Sequence, residues 1–421
     1  MKYLLILFII LFGCVSNMPK NNLIEGEVIH KPHVSESKKV ILGVENFLAG
    51  HVGLIKGKRV GLVTNQSGVN RSLQSTADLL FHHPDINLKA LYGPEHGIRG
   101  DIFAGHKIST QTDPKTGLTV YSLYGKTRKP TKEMLNGIDV IIFDIQDIGV
   151  RSYTFISTMG VVIEAAAEND KEVIILDRPN PIGGVKVEGN IVHDGYFSFI
   201  GYFPIAYRHG MTVGEIAKMH NTEKNIGAKL TIIPLKNWNR SMLWNETGLP
   251  WIPTSPHVPD WESSLFLAAT GTFGELHVLS EGVGYTMPFE FVGAPWIKSD
   301  EFATALNNLN LSGIIFRPVS FKPYYFRLKD QQCQGVQLHI IDYNTFDSFT
   351  CGLHIMKTTM DLYPDHDLFA NKNRISSFNK VMGSDLITTG LQTGKSVDQL
   401  EKEWQQELNE FKKIRTKYLL Y

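Results

Sequence analysis

A glutamate between a proline and a histidine, bounded by glycines, is the first place where this sequence concentrates chemistry: Gly93-Pro94-Glu95-His96-Gly97. Gly93 and Gly97 permit tight bends and close approach of a ligand. Pro94 stiffens the loop. A carboxylic acid partly shielded from water holds its proton more firmly and can deliver it to a leaving oxygen. The competing role for Glu95 is an ion pair with Arg99 or a helix cap. His96 is expected to orient Glu95 or to bond a hydroxyl. No H-E-x-x-H or similar spacing surrounds it, so no metal is expected.

Hydrolysis of a glycosidic bond commonly needs two carboxyl groups flanking the bond. The second is sought first in Asp144-Ile145-Gln146-Asp147, where Asp144 or Asp147 is a candidate and Gln146 a hydrogen-bonding partner. Arg151 and Tyr153 follow, and Arg151 or Arg99 is expected to hold an anionic substituent. Asn65 and Asn180 are candidate sugar-hydroxyl partners. Later in the chain, His257 in Ser255-Pro256-His257, Glu281 in Ser280-Glu281-Gly282-Val283-Gly284 and Glu290 extend the list. Trp251, Trp261 and Trp296 either stack on sugar rings or belong to the core.

These residues need elements to hold them. Apolar, β-branched runs at Arg59–Val63, Leu88–Leu91, Val140–Phe143, Val173–Leu176 and Leu230–Ile233 read as strands buried on both faces. Helices are expected at Ser72–His82, Thr131–Leu135, Phe155–Glu168 and Val213–Thr222, the last opened by a Thr212/Glu215 capping box. Alternation of this kind predicts an α/β fold with an open parallel sheet. The polar stretches Thr64–Gly68, Tyr92–Gly97, Asp144–Asp147 and Asp177–Pro181 all fall at carboxyl ends of strands, where an open sheet binds its ligand. A second, smaller α/β region is expected after about residue 240. Its strands lie near Ile314–Arg317 and Val336–Ile341, and its helices at Glu301–Leu309, His354–Leu362 and Val397–Lys417. The resulting division is 39–240 and 241–421.

The N-terminus has a different texture. A short basic start, an apolar run Tyr3–Phe12 and then Gly13-Cys14 predict an exported lipoprotein, with residues 1–14 as signal and Cys14 as the lipidated residue. Residues 15–38 read as a polar tether from the membrane. Lysine plus arginine number 42, as do aspartate plus glutamate, and this balance argues against a nucleic-acid partner. Thr64-Asn65-Gln66-Ser67-Gly68 lacks the dinucleotide fingerprint, so no such cofactor is expected. Cys333 and Cys351 are expected to be small buried hydrophobes, with a disulfide as the alternative.

From Leu42 to Tyr421 these motifs in order resemble the NamZ family of exo-acting β-N-acetylmuramidases. The resemblance is carried by Gly43-Val44-Glu45, Thr64–Gly68, Gly93–Gly97, Phe143–Gly149, Asp177–Pro181, Gly293-Ala294-Pro295-Trp296 and Arg415–Tyr421. It implies a Rossmann-like N-terminal domain, a smaller α/β C-terminal domain and an active-site cleft between them. It also implies release of N-acetylmuramic acid from non-reducing ends of peptidoglycan fragments, in cell-wall turnover, with the family's glutamate on Glu95. Val283, Tyr285 and Met287 depart from the family pattern. A lipid-anchored protein that binds cell-wall amino sugars without cleaving them is the alternative, and Glu95 with its acidic neighbours separates the two. An esterase or deacetylase is the weakest reading, since there is no G-x-S-x-G elbow and no zinc spacing.

Overall fold

A computed structural model describes residues 39–95, 97–100 and 110–421. The expected signal, the tether, Cys14 and His96 lie outside them. The main sheet has seven strands: β1 (Arg59–Thr64), β2 (Asn87–Gly93), β3 (Gln111–Thr112), β4 (Thr119–Ser122), β5 (Val140–Asp144), β6 (Glu172–Leu176) and β7 (Lys229–Ile233). They lie in the order β3-β4-β2-β1-β5-β6-β7. Only the β3–β4 pair is antiparallel. Every residue of β5 is buried, which is why it reads as an unbroken apolar run.

The chain steps outward in one direction from β1 to β2 and β4, and in the other from β1 to β5, β6 and β7. That reversal places the topological switch between β1 and β5, where Thr64 pairs with Asp144. Because β2, β1, β5 and β6 are neighbours and parallel, their four polar exits emerge side by side at one edge.

Helices α1 (Gly43–Gly50), α2 (Thr76–His82), α3 (Phe155–Glu168) and α4 (Val213–Glu223) accompany this sheet. The Thr212/Glu215 capping box opens α4 as expected, with the Thr212 amide donating to Glu215 at 3.0 Å. The stretch Thr131–Leu135 differs from expectation. It makes one i→i+4 bond, Leu135 N–H to Thr131 C=O, and turns away through Gly137 at φ +77°. So short an apolar stretch cannot repay the cost of nucleating a helix.

The second region begins with α5 (Ser263–Thr270) and α6 (Phe273–Leu276). Its sheet is antiparallel, order β8-β10-β9, from β8 (Phe291–Ala294), β9 (Ile314–Phe321) and β10 (Cys333–Ile340). Around it lie α7 (Ser299–Asn308), α8 (Ser348–Leu362), α9 (Lys372–Met382), α10 (Leu386–Gln392) and α11 (Val397–Thr416). Leu400, Trp404, Leu408 and Phe411 form the buried stripe of α11. Tyr421 returns to the main sheet, its ring edge-on to Trp238 and its hydroxyl bonded to Asp177 at 2.6 Å. Cys333 and Cys351 are both free and buried, and burial pushes the Cys333 thiol up to about 11.

Candidate active site

Glu95 follows directly from the end of β2. The Gly97 amide donates to the Pro94 carbonyl at 3.1 Å, folding the chain back around Glu95. Gly97 takes φ +74°, a region that disfavours a side chain. Gly93 packs so closely that a Cβ there would lie 3.1 Å from Ile98. The glycines therefore serve the bend that presents the half-buried Glu95.

Glu95 opens into a cavity of about 260 Å³. Ser152, Tyr153 and Thr154 line it from the loop after β5, and Ser255, His257 and Val258 from the segment before α5. Leu267, Gly271 and Glu275, on and beside α5 and α6, complete it with Phe289 and Val381. Two parts of the chain far apart in sequence thus share one pocket. Tyr153 joins them, its hydroxyl donating to Thr254 at 2.7 Å. Burial raises the Tyr153 phenol above its usual range, and the Asp147 and Glu95 carboxylates add to the rise. Both carboxylates are therefore within electrostatic reach of Tyr153. Gln66 ties the β1 exit to the same segment, donating to the Pro253 and Thr254 carbonyls, each at 2.9 Å.

The exits of β1, β5 and β6 form a buried polar chain. Asn65 Oδ1 accepts from the Ser67 hydroxyl at 2.5 Å, and Ser67 Oγ accepts from the Gln146 amide at 3.0 Å. Gln146 Nε2 donates to the Asp147 and Pro179 carbonyls. Asp147 Oδ2 accepts from the Gly149 amide at 2.7 Å and lies 3.3 Å from His209 Nε2. Asp147 Oδ1, Gln146 Oε1 and Asn65 Nδ2 are buried without a hydrogen-bond partner. Unpaired buried polar atoms are costly, and His209 Nε2 beside Asp147 is another.

Several expected residues are committed elsewhere. Asp144 is fully buried, held by Arg178 at 2.5 and 2.9 Å and by Thr76. It holds neighbouring loops together and does not face the cavity. Arg99 is bound to Asp113 and Asp78. Arg151 is wholly buried and donates to four backbone carbonyls, those of Asn190, Ile205, Val381 and Met382. Neither guanidinium lines the Glu95 cavity, although Arg151 Nε is buried without a hydrogen-bond partner. Asn180 is spent on the Met211 carbonyl and the Ile182 amide. Glu281 pairs with Arg327, and burial raises its carboxyl above the usual range. Glu290 is buried beside Gln337, and burial pushes it up to about 7. Val283 is core.

Trp251 meets Trp244 edge-on, Trp261 lies against Tyr343, and Trp296 stacks on His366 at 4.2 Å. All three pack against the core. Sequence reasoning passed over Glu275, which sits in the short run Phe273-Gly274-Glu275-Leu276 with no loop signal around it. Its carboxylate lies 3.2 Å from Arg374 on α9. A larger cavity of about 780 Å³ lies by Glu164, Phe197 and His220, away from the loop carrying Glu95.

Comparison with known proteins shows the family and the fold. The N-terminal domain of exo-β-N-acetylmuramidase NamZ matches residues 60–262, and its C-terminal domain matches residues 265–421. Peptidoglycan β-N-acetylmuramidase NamZ of Bacillus subtilis (strain 168) is 45% identical over 391 residues, covering 93% of this chain and 94% of that protein. Two crystal structures of DUF1343 family proteins from Bacteroides fragilis NCTC 9343 are similar in fold. One is 47% identical with a TM-score of 0.87, the other 29% identical with 0.70, and each comparison covers 91% of this chain and 99% of the other. With both domains matched and a glycosidase relative aligned along nearly its whole length, this chain belongs to the NamZ family of exo-β-N-acetylmuramidases.

Proposed function

We propose that this protein hydrolyses terminal β-linked N-acetylmuramic acid from peptidoglycan fragments, with Glu95 as general acid. The observation that carries the reading is a single cavity lined by two carboxylates, Glu95 and Glu275, brought from opposite ends of the family's domain boundary. Glu95 gives its proton to the glycosidic oxygen as the bond to the anomeric carbon breaks, and the following sugar leaves as an alcohol. Glu275 faces the positive charge that develops on the muramic acid ring. Water then supplies hydroxide to the anomeric carbon, and its remaining proton restores the acid.

Tyr153, in the cavity lining beside Glu95, and Asp147, which acts electrostatically on Tyr153, serve as positioning groups. Ser152, Ser255 and His257 supply hydrogen bonds for sugar hydroxyls or the acetamido group. A role in cell-wall turnover follows from the substrate. Export and anchoring through Cys14 complete the proposal, since the substrate lies outside the cytoplasm. Incorporation of a labelled acyl chain that survives a Cys14→Ser change would overturn the anchor.

The activity is tested by incubating the protein with purified muropeptides and identifying the released sugar by mass. Free N-acetylmuramic acid is the expected product. Tight binding of the fragments with no sugar released on prolonged incubation would favour the non-hydrolytic alternative.

A further inference from the structure

The hairpin between β9 and β10 carries three consecutive aromatic residues into solvent. Tyr324, Tyr325 and Phe326 are 64%, 49% and 55% exposed, while most other large aromatic residues are packed away. Large apolar rings left in water as a group mark a binding surface. The position of this group identifies its occupant. The Tyr325 hydroxyl lies 3.1 Å from His257 Nε2, and His257 lines the Glu95 cavity. The His257 and Tyr325 rings lie 6.2 Å apart and within 25° of parallel, and Phe326 follows at 6.5 Å from His257. The aromatic surface is therefore continuous with the cavity and leads out of it.

The hairpin is braced to hold this shape. The Tyr324 amide donates to the Gly284 carbonyl at 2.7 Å, and the Tyr324 ring lies against Tyr285. A Cβ on Gly284 would fall 2.0 Å from the Tyr325 carbonyl oxygen, so only glycine lets the two segments meet. Arg327 lies over the Phe326 ring at 4.4 Å while pairing with the buried Glu281. Phe326, Leu328 and Asp330 all take positive φ, of 69°, 53° and 61°. Such backbone is costly and persists because the surroundings over-determine it. The Glu281–Arg327 pair is thus a brace for the hairpin.

We propose that Tyr325 and Phe326 form the platform for the amino sugar that follows the scissile bond, stacking on the apolar face of its ring. The proposal rests on the glycosidase reading above, and it assigns the leaving-group side of the cleft. An exo-acting enzyme closes on the terminal sugar and must leave the rest of the glycan room to run outward. A cavity of about 260 Å³ opening onto an exposed aromatic surface provides that arrangement.

The test is a Tyr325→Ala/Phe326→Ala variant assayed on a disaccharide of N-acetylmuramic acid linked to N-acetylglucosamine. KM is expected to rise about ten-fold, the scale of losing one or two ring contacts, with kcat changing less than KM. Loss confined to kcat would overturn the proposal. A second measurement stands apart from turnover. In the Glu95→Gln protein, calorimetric titration compares the disaccharide with free N-acetylmuramic acid. The hairpin is expected to make the disaccharide bind more tightly, and the added Tyr325→Ala/Phe326→Ala changes are expected to abolish that preference. A preference that survives them contradicts the platform. Absence of sugar release by the unaltered protein, with the titration preference intact, would remove the hydrolytic function and leave the platform standing.

Discussion

Arg178 grips both oxygens of Asp144, at 2.5 and 2.9 Å, and the pair is almost wholly excluded from water. Arg178 also donates to the Val69 carbonyl, so the exits of β1, β5 and β6 are joined through one guanidinium. Removing one member of a buried ion pair strands the other charge. Asp144→Ala is expected to cost about 3–5 kcal/mol of unfolding free energy, read by urea denaturation. A stable Asp144→Ala protein that had lost its turnover would return Asp144 to the catalytic groups.

Tyr421 makes a second long-range tie. Its hydroxyl donates to Asp177 and accepts from the Leu235 amide at 2.8 Å. Burial pushes Asp177 up to about 6, and its bonds to Tyr421, Gly214 and Thr212 oppose that rise. Tyr421→Phe leaves the Leu235 amide without that acceptor and Asp177 Oδ2 with Thr212 alone, at a cost of about 1–3 kcal/mol. The expected outcome is a lowered melting temperature with little change in KM.

Much of this fold was legible in sequence, for identifiable reasons. β1, β2, β5, β6 and β7 are near-continuous apolar runs because all but the outermost are covered on both faces. β3 has two exposed residues and β8 only four residues, too short for any periodicity. The site was legible as strand exits, since parallel order alone brings them together. Partner choice was not. Nothing near Asp144 in sequence announces Arg178, whose arrival depends on the pairing of β5 with β6. The tryptophans and the Tyr324–Phe326 run differ only in what packs over them, and composition carries no sign of that.

Glu290 predicts a pH effect on stability. Burial pushes its carboxyl up to about 7, with Asp260 and Glu262 contributing in the same direction. A carboxyl raised on folding favours the protonated form, so the folded state loses stability as pH rises from the ordinary range, near 4.5, through about 7. Glu290→Gln removes that loss. The variant is expected to be more stable than the unaltered protein at pH 8, by at most about 3 kcal/mol, and nearly equal to it below pH 4.5. Melting curves at the two pH values check the sign.

Glu275 shares the cavity with Glu95 and is held at 3.2 Å by Arg374. Glu275→Gln is expected to lower kcat by about 100-fold or more while substrate still binds. Comparable kcat in variant and unaltered protein would pass the second role to Asp147.

Hydrolysis depends most on Glu95, and the rate of a Glu95→Gln protein on a chromogenic N-acetylmuramic acid glycoside tests that role most directly. Loss of the proton donor is expected to lower kcat by about 10²–10⁴-fold with an unchanged melting temperature. Cleavage at the unaltered rate would contradict the assignment of Glu95 as the acid.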